Sequence, residues 1–266
     1  MFDSIAGDYD SLNHILSLDV DKIWRKKALK QIVDAPAPAR VLDLACGTGD
    51  FSIAIAKALS RSHKRVGTPI EAHVKAPAKA PVEAQVTSTG FVTGDSGRSD
   101  LMTKGHVTGV DLSEGMLAVM REKVAKADLT EMISIEEGDG ENLRFPDNTF
   151  GRVTIAFGIR NFENREKGLR EMLRVLKPGG RLVILELSRP ENKIIRWFYD
   201  LYFLHILPKV GGKVSGDKAA YAYLPASVAA FPGKKAFMAT MREAGFRAVT
   251  HKAFTLGICR MYTGEK

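Results

Sequence analysis

The sequence contains little cysteine and no long apolar run. Its two cysteines, Cys46 and Cys259, cannot form a disulfide framework and make no C-x-x-C pair, which favours a reducing compartment. No segment approaches the roughly 18–20 apolar residues needed to span a bilayer. The segment Met1–Ser4 lacks the charged and apolar parts of a secretory signal, so we expect none. The six histidines include no pair at metal-ligand spacing, and we expect no metal site.

The charge is moderately basic, with a formal net value of +8. Residues 61–104 carry +3 of it, leaving +5 for the rest of the chain. No RNA-binding motif with stacking aromatics accompanies this charge, so we expect no nucleic-acid partner. A mildly basic surface also suits the anionic face of a membrane.

The order of apolar segments predicts an α/β protein with a single domain over 1–266. Its 45% apolar content is enough for a full core. Strand patterns alternate with helical ones and end in a β-hairpin, which predicts a doubly wound, seven-stranded sheet with one antiparallel strand. The predicted strands start at 40, 106, 133, 152, 181, 248 and 257, and the last two end at Phe254 and Thr263.

The stretch RVLDLACGTGD at positions 40–50 reads as a buried strand, a glycine turn and the start of a helix. Gly47 and Gly49 let the backbone take unusual conformations and let a ligand approach closely. Asp43 and Asp50 flank them and would repel a phosphate. These carboxylates suit a ligand with a cationic amino-acid end and ribose hydroxyls, and S-adenosylmethionine (SAM) is such a ligand. The alternative is a glycine turn that binds nothing.

Residues 61–104 interrupt the pattern, because they are poor in apolar residues and rich in alanine, proline, serine and glycine. We interpret them as a low-complexity, mostly disordered insertion. Gly49 and Asp111 are 62 residues apart, but without this 44-residue segment they are 18 apart. A ribose-binding acid follows the glycine loop by about 20 residues, so Asp111 is predicted to bind the ribose hydroxyls. Ser113 is placed as the cap of the next helix, and Asp139 as an acceptor for the adenine amino group.

Two segments are predicted to cover the site. Residues 1–36 form an N-terminal helical cover, in which Tyr9 faces the sulfonium through a cation–π contact. Residues 189–233 form a helical segment over the substrate, and the inner face of its aromatic-rich run 194–207 receives the substrate. For any single aromatic residue there, ordinary core packing is the competing interpretation.

These motifs together resemble the UbiE-type ubiquinone/menaquinone biosynthesis C-methyltransferases. The resemblance covers nearly everything outside 61–104. The glycine loop and the turn at 177–180 (KPGG) are shared by many methyltransferases, whereas narrower signals lie at 157–161 (FGIRN) and in the amino-terminal block. The segments that carry it are 41–50 (VLDLACGTGD), 157–161 (FGIRN), 174–180 (RVLKPGG), 2–6 (FDSIA), 9–10 (YD), 24–25 (WR), 206–208 (ILP), Gly211, 221–224 (YAYL) and 254–258 (FTLGI). Where the family often has a serine before FGIRN, this chain has Ala156.

The resemblance implies a Rossmann-like fold of the class I SAM-dependent methyltransferases. It also implies SAM contacts at Thr48, Asp111, Asp139 and Gly140. The implied reaction is transfer of the SAM methyl group to a ring carbon of a polyprenylated quinol, either demethylmenaquinol or 2-polyprenyl-6-methoxy-benzoquinol. The protein would then act in the cytoplasm, peripherally at the inner membrane, or on the matrix side of the mitochondrial inner membrane. A homo-oligomer or a quinone-biosynthesis complex is also compatible with it.

Catalysis requires a better nucleophile than a neutral quinol carbon, so we expect a fixed positive charge to favour the ionised hydroxyl. Arg160 is the predicted charge, and Asn161 is predicted to orient the hydroxyl. A structural ion pair is the competing interpretation of Arg160. The proton acceptor is left open between water, His205 and Asp8.

Two other classes of function compete with this one. The first is a SAM methyltransferase of another lipid or small phenol. The second is a non-catalytic member of a quinone-biosynthesis assembly, which predicts no measurable affinity for SAM.

Overall fold

The computed structural model describes residues 20–34, 40–66, 106–202 and 218–266, without the side chains of 62–66 and 218–222. The helices are α1 (Val20–Ile32), α2 (Asp50–Val66), α3 (Glu114–Lys126), α4 (Arg165–Val175), α5 (Lys193–Asp200), α6 (Lys218–Ala230) and α7 (Lys234–Glu243). The strands are β1 (Arg40–Leu44), β2 (His106–Asp111), β3 (Ile133–Glu137), β4 (Phe150–Ala156), β5 (Leu176–Leu187), β6 (Arg247–Phe254) and β7 (Cys259–Glu265).

The seven strands form one sheet in the order β3-β2-β1-β4-β5-β7-β6. The strands β1 to β5 pair in parallel, and β7 is antiparallel to both of its neighbours. The chain leaves β1 towards β2 on one side and returns to β4 on the other, so β1 lies at the point where the strand order reverses. In such sheets, ligands bind at the carboxyl ends of the strands near that point. The predicted fold class is confirmed.

Apolar side chains cover both faces of the sheet. In β1, Val41 packs into a cluster with Trp24 and Met120, whereas the next residue, Leu42, packs into a second cluster with Phe237 on the opposite face. Successive strand residues point to opposite faces, so a strand buried on both sides needs a continuous apolar run. The apolar sequence around Asp43 therefore follows from the central position of β1.

Side-chain caps define several helix starts near this edge. Ser113 accepts a hydrogen bond from Met116 N at 3.3 Å, which confirms its prediction as the cap of α3. Asn164 caps α4 by accepting from Lys167 N at 3.0 Å. Each cap satisfies a backbone donor that has no partner within its own helix.

Some predicted boundaries differ from the structure. Helix α2 continues to Val66, past residue 61, where we placed the start of the insertion. The last strand begins at Cys259 rather than 257, because Thr255–Gly257 forms a short helical turn in which Leu256 has a φ of +58°. Strand β5 includes the turn predicted at 177–180, and its pairing with β4 is interrupted there.

Several expectations lie outside the described residues. These are the first amino-terminal helix with Asp8 and Tyr9, most of the insertion, and the part of the substrate cover that contains His205. Within the described residues, no helix is long and apolar enough to cross a membrane.

Candidate active site

Acidic side chains converge where the parallel strands end. Asp43 lies near the end of β1, Asp111 ends β2, and Asp139 follows β3 by two residues. The register pairs Leu44 with Val110 and Asp111 with Glu137, which brings these ends to one edge of the sheet. The predicted set of carboxylates is therefore assembled as the sequence indicated.

The glycine loop donates to a carboxylate. Gly47, with a φ of +55°, donates its N–H to Asp111 Oδ2 at 2.8 Å. The backbone N–H of Ser113 donates to Asp111 Oδ1 at 2.9 Å. Carboxylate oxygens are the acceptors that suit ribose hydroxyl groups, which agrees with the ribose contact predicted for Asp111. The Gly47 N–H already donates to the negatively charged Asp111 carboxylate, so it is not available to a phosphate, which that carboxylate would also repel. The loop therefore suits a ribose rather than a phosphate.

Gly49 has a packing role in addition to its predicted cofactor contact. Its φ is +84°, and a Cβ atom there would lie 2.4 Å from Met120 Cγ. Gly49 lines neither of the two cavities described below. The structure thus explains this glycine by the left-handed turn and by its close packing on α3, and its contact with the cofactor stays a prediction.

Thr48 and Asp50 are connected to α3 through one lysine. Lys123 Nζ lies 3.1 Å from Thr48 Oγ1 and 2.7 Å from Asp50 Oδ1. Thr48 is buried, with 3% of its surface exposed. This arrangement fixes the second half of the loop against the neighbouring helix.

Asp43 is buried and accepts a hydrogen bond from Ser52 Oγ at 2.6 Å. Burial raises the pKa of this carboxyl to about 7, although the Ser52 hydrogen bond and the Arg25 charge oppose the rise. Ser52 occupies the position where a dinucleotide fingerprint has its third glycine. Its hydroxyl here orients a carboxylate instead of letting the helix approach a pyrophosphate.

Two cavities meet at the glycine loop. The small cavity, of about 350 Å³, is lined by Gly47, Asp111, Asp139 and Gly140, among others. The large cavity, of about 480 Å³, is lined by Asp21, Asp43 and Asp50 and by most of the aromatic residues of the site. Both cavities are lined by Ala45, Gly47, Ala156 and Phe157. The loop thus separates a smaller and more polar compartment from a larger one with a mainly apolar lining.

The residues of the small cavity fit the adenosine part of SAM. Asp111 lines this cavity with a carboxylate, a group that suits ribose hydroxyls. Asp139 Oδ1 accepts from Glu141 N at 2.8 Å, and Asp139 can accept further bonds. A Cβ atom on Gly140 would lie 2.5 Å from the ring of Phe162, so only glycine leaves this wall in place.

Arg160 lines the large cavity and is ion-paired on its buried side. Its Nη1 lies 2.9 Å from Glu186 Oε1, and its backbone N–H donates to Glu186 Oε2 at 3.1 Å. Glu186 is fully buried and also accepts from Leu187 N at 2.8 Å. Nη1 further donates to the Phe157 carbonyl, and Nε lies 3.4 Å from Ser227 Oγ. Nη2 makes no hydrogen bond to a described residue. Arg160 therefore forms the structural ion pair that was the competing interpretation of this residue. Its Nη2 remains available as a hydrogen-bond donor.

Asn161 lies on the other side of the loop from the predicted substrate. It lines the small cavity, and its Oδ1 accepts from Tyr223 Oη at 2.9 Å. Its predicted contact with a substrate hydroxyl is not supported by this position. Asn161 is instead placed to connect α6 with the wall of the small cavity.

The predicted substrate cover contributes an aromatic wall. Ile195, Phe198, Tyr199 and Tyr202 line the large cavity, spaced as one face of a helix. Burial raises the pKa of Tyr199, so its hydroxyl stays neutral at physiological pH. On the opposite side, Trp24 packs beside Phe157 with ring centroids 6.2 Å apart, and its Nε1 donates to Thr255 Oγ1 at 2.9 Å.

Sequence reasoning missed two charged residues of this site. Glu186 was detectable as the single acid in the apolar strand sequence RLVILEL, a pattern that indicates a buried partner for a cation. Arg25, in α1, also lines the large cavity, although its helical pattern alone predicts only an exposed face. Among the described residues, no group of three or more side chains could hold a metal ion.

Comparisons with known proteins agree with this geometry. The model of the ubiE/COQ5 methyltransferase family matches residues 1–266. The chain is 43% identical over 266 residues to the ubiquinone/menaquinone biosynthesis C-methyltransferase UbiE of Geobacter sulfurreducens, covering all of this chain and 87% of that protein. It is 38% identical to the demethylmenaquinone methyltransferase of Bacteroides fragilis, covering 100% of this chain and 91% of that protein.

Solved structures support the fold. A SAM-dependent methyltransferase of Thermotoga maritima, described as a possible histamine N-methyltransferase, aligns with a TM-score of 0.56 at 18% identity, covering 100% of this chain and 98% of that one. A methyltransferase described as putative and SAM-dependent, from Methanococcus maripaludis, gives 0.58 at 16% identity, covering 100% and 94%. The predictions of methyltransferase activity and of SAM as the cofactor are confirmed, and the chain belongs to the ubiE/COQ5 methyltransferase family.

Proposed function

We propose that this protein transfers a methyl group from SAM to a ring carbon of a polyprenylated quinol. One observation carries the proposal: a large, mainly apolar cavity with aromatic walls meets the acid-lined cofactor cavity at four shared residues. An aromatic ring with an isoprenoid tail matches such a lining. The names of the relatives from Geobacter and Bacteroides point to the same class of acceptor.

Within this proposal, Gly47, Asp111, Asp139 and Gly140 hold the adenosine end of the cofactor, and Asp43 and Thr48 lie at its amino-acid end. The bound cofactor supplies a methyl group on a positively charged sulfur. Ala156 and Phe157, which line both cavities, would hold the methyl-bearing end of the cofactor next to the large cavity. Such positioning of two reactants can account for up to ~7–11 kcal/mol of the barrier.

Arg160 stabilises the ionised acceptor in this scheme. Ionising a phenol with a pKa near ~10 at pH 7 costs about 4 kcal/mol. A nearby positive charge can lower a pKa by roughly 1–3 units. Glu186 offsets much of the Arg160 charge, so we expect Arg160 to lower the pKa of the quinol by an amount near the lower end of that range. In this arrangement Nη2 of Arg160 donates a hydrogen bond to the quinol oxygen. Arginine remains charged, so it orients and stabilises rather than accepts the proton.

We also propose that α5 contacts a membrane surface. Its outer side exposes Ile194, Trp197 and Phe198, at 70%, 60% and 60% of their surface. Lys193 is exposed in the same helix, next to the partly exposed Arg196, so this face combines apolar and basic groups. Such a composition suits an anionic lipid surface. Phe198 also lines the large cavity, so the same helix connects the lipid phase with the acceptor site.

Product analysis tests the reaction. The protein is incubated with SAM and with either demethylmenaquinol or 2-polyprenyl-6-methoxy-benzoquinol, and the quinols are analysed by mass spectrometry. We expect one added methyl group on a ring carbon of at least one quinol, and loss of this product in Asp111→Ala. Binding of S-adenosylhomocysteine without methylation of either quinol would contradict the proposed acceptor while leaving the cofactor assignment intact.

Vesicle sedimentation tests the membrane contact. We expect binding to phosphatidylglycerol-containing vesicles, weaker binding to pure phosphatidylcholine, and a marked loss in Trp197→Ser. Ile23→Ser is the matched control, because Ile23 is an exposed apolar residue of α1 outside this face. Equal binding by both variants would remove α5 from the membrane contact.

A further inference from the structure

The large cavity is lined by charges of both signs. Asp21, Asp43 and Asp50 are its lining carboxylates, and Arg25 and Arg160 are its lining cations. The amino-acid end of SAM brings an ammonium and a sulfonium, which suit the carboxylates. It also brings an α-carboxylate, and an enclosed carboxylate requires charge-assisted donors.

Two of the nearby cations are already engaged. Arg160 is bonded to Glu186 and to the Phe157 carbonyl, and its Nη2 is the atom proposed above to donate to the quinol oxygen. Lys123 bonds Thr48 and Asp50 from α3 and does not line the cavity. Arg25 remains as the cation that lines the cavity without a strong partner among the described residues.

Arg25 has carboxylates close by but outside hydrogen-bond range. Its Nε lies 3.6 Å from Asp21 Oδ2, and its Nη1 lies 4.0 Å from Asp50 Oδ2. Within the described part of the chain, this buried Nε–H has no hydrogen-bond acceptor. The guanidinium carbon lies 5.6 Å from the centre of the Phe157 ring, a cation–π contact that holds it beside the wall shared by both cavities. The planar guanidinium is thus held beside this wall with its Nε–H unused.

The direction of the cofactor brings its carboxylate to this side. The adenosine end belongs to the small cavity, at Asp111 and Asp139. Gly47 lines both cavities and Thr48 lines the large one, so a cofactor with its adenosine end in the small cavity would pass Gly47 and enter the large cavity beside Thr48. Arg25 lies at that end of the loop, next to Asp50.

We propose that Arg25 is the counter-ion of the α-carboxylate of SAM, and that it makes the site selective for a cofactor that retains its complete amino-acid end. The inference rests on the SAM site and does not depend on which quinol accepts the methyl group. Arg25 is a cofactor-positioning residue in this assignment: by anchoring the amino-acid end, it fixes how far the sulfonium extends into the large cavity.

Calorimetry with two ligands tests the proposal without any turnover. S-adenosylhomocysteine has the α-carboxylate, whereas its decarboxylated analogue, S-adenosyl-3-thiopropylamine, keeps the amine and lacks the carboxylate. We expect the wild-type protein to bind S-adenosylhomocysteine about 10- to 100-fold more tightly, the range for a charge-assisted pair of hydrogen bonds. Equal affinities for the two ligands in the wild-type protein would overturn the proposal.

Variants locate the effect at Arg25. In Arg25→Gln, the dissociation constant of S-adenosylhomocysteine should rise about 10- to 100-fold, while that of the decarboxylated analogue should change less than about threefold. Arg25→Lys, which keeps the charge but not the fork, should lose part of the preference. If Arg25→Gln does not fold, Arg25→Lys carries the test, and a full wild-type preference in it would contradict the bidentate contact.

Two further variants distinguish the competing explanations. Arg121→Gln removes an exposed cation that is paired with Glu114 and should leave both affinities unchanged. Lys123→Gln tests the rival cation: a selective loss of S-adenosylhomocysteine affinity there, with none in Arg25→Gln, would assign the carboxylate to Lys123. Failure of the wild-type protein to bind either ligand would contradict the cofactor site itself rather than the role of Arg25.

Discussion

The buried ion pair of Arg160 and Glu186 should contribute to the free energy of unfolding, which can be measured without substrate. Glu186 is fully buried and accepts three hydrogen bonds, two of them from Arg160 and one from Leu187 N. In Glu186→Gln, the guanidinium stays in the same place but loses its counter-charge. Breaking a buried pair by removing one partner costs about 3–5 kcal/mol. We therefore expect the free energy of unfolding to fall by about that amount.

A double-mutant cycle separates the pair from its surroundings. Arg160→Gln alone should cost a similar amount, because it leaves Glu186 buried without a cation. The double variant should lose much less than the sum of the two single losses, since neither charge then remains uncompensated.

Urea denaturation followed by tryptophan fluorescence measures these values. Glu166→Gln is the control, because Glu166 forms an exposed pair with Arg170, and its loss should change stability by less than about 0.5 kcal/mol. A loss below about 1 kcal/mol in Glu186→Gln, or additive single losses in the cycle, would refute the buried pair.

The remaining predictions concern catalysis, pH and the glycine loop. Arg160→Lys should lower kcat about 10- to 100-fold, while the dissociation constant of S-adenosylhomocysteine, measured by calorimetry, changes little; unchanged turnover would remove Arg160 from the mechanism. The pKa of Asp43 is raised from 3.8 to about 7 in the folded protein, so the folded state binds more protons than the unfolded chain between these values, and stability falls as the pH rises through this window. Asp43→Asn should therefore stabilise the ligand-free protein at pH 8, by up to about 4 kcal/mol, and hardly at pH 4, as measured by urea denaturation at both values. An equal gain at both would contradict the raised pKa. Gly49→Ala should cost about 2–5 kcal/mol, from a φ of +84° and a clash with Met120, whereas Gly179→Ala, with a φ of +73° and open space around it, should cost only about 1–2 kcal/mol. Equal losses would show that α3 moves away from the new methyl group.

The fold was predictable because local signals agree with the global arrangement. The cap at Ser113 and the position of Asp111 depend on short stretches of sequence and on the spacing that remains when the insertion is left out. Asp43, Asp111 and Asp139 also follow from topology, since parallel strands bring their carboxyl ends to one edge.

Other features depend on contacts between distant parts of the chain, which the spacing of apolar residues along the sequence does not predict. Arg160 and Glu186, which form the ion pair, are 26 positions apart in the sequence. Trp24 and Thr255, which are joined by a hydrogen bond, are 231 positions apart. The placement of Asn161 on the small cavity follows from the short helical turn at Ile159–Asn161, in which adjacent side chains point in different directions. For the same reason, the sequence indicated Arg160 as a cation but not the extent to which a partner offsets its charge.

The most direct test of the central claim compares two nucleotides at the glycine loop. Asp111 accepts the hydrogen bond of the Gly47 N–H, which a phosphate would need, and its carboxylate suits the hydroxyls of a ribose. Calorimetry should then show saturable binding of S-adenosylhomocysteine, weakened in Asp111→Ala, and no binding of NAD⁺. Tight binding of NAD⁺ together with no binding of S-adenosylhomocysteine would contradict the account.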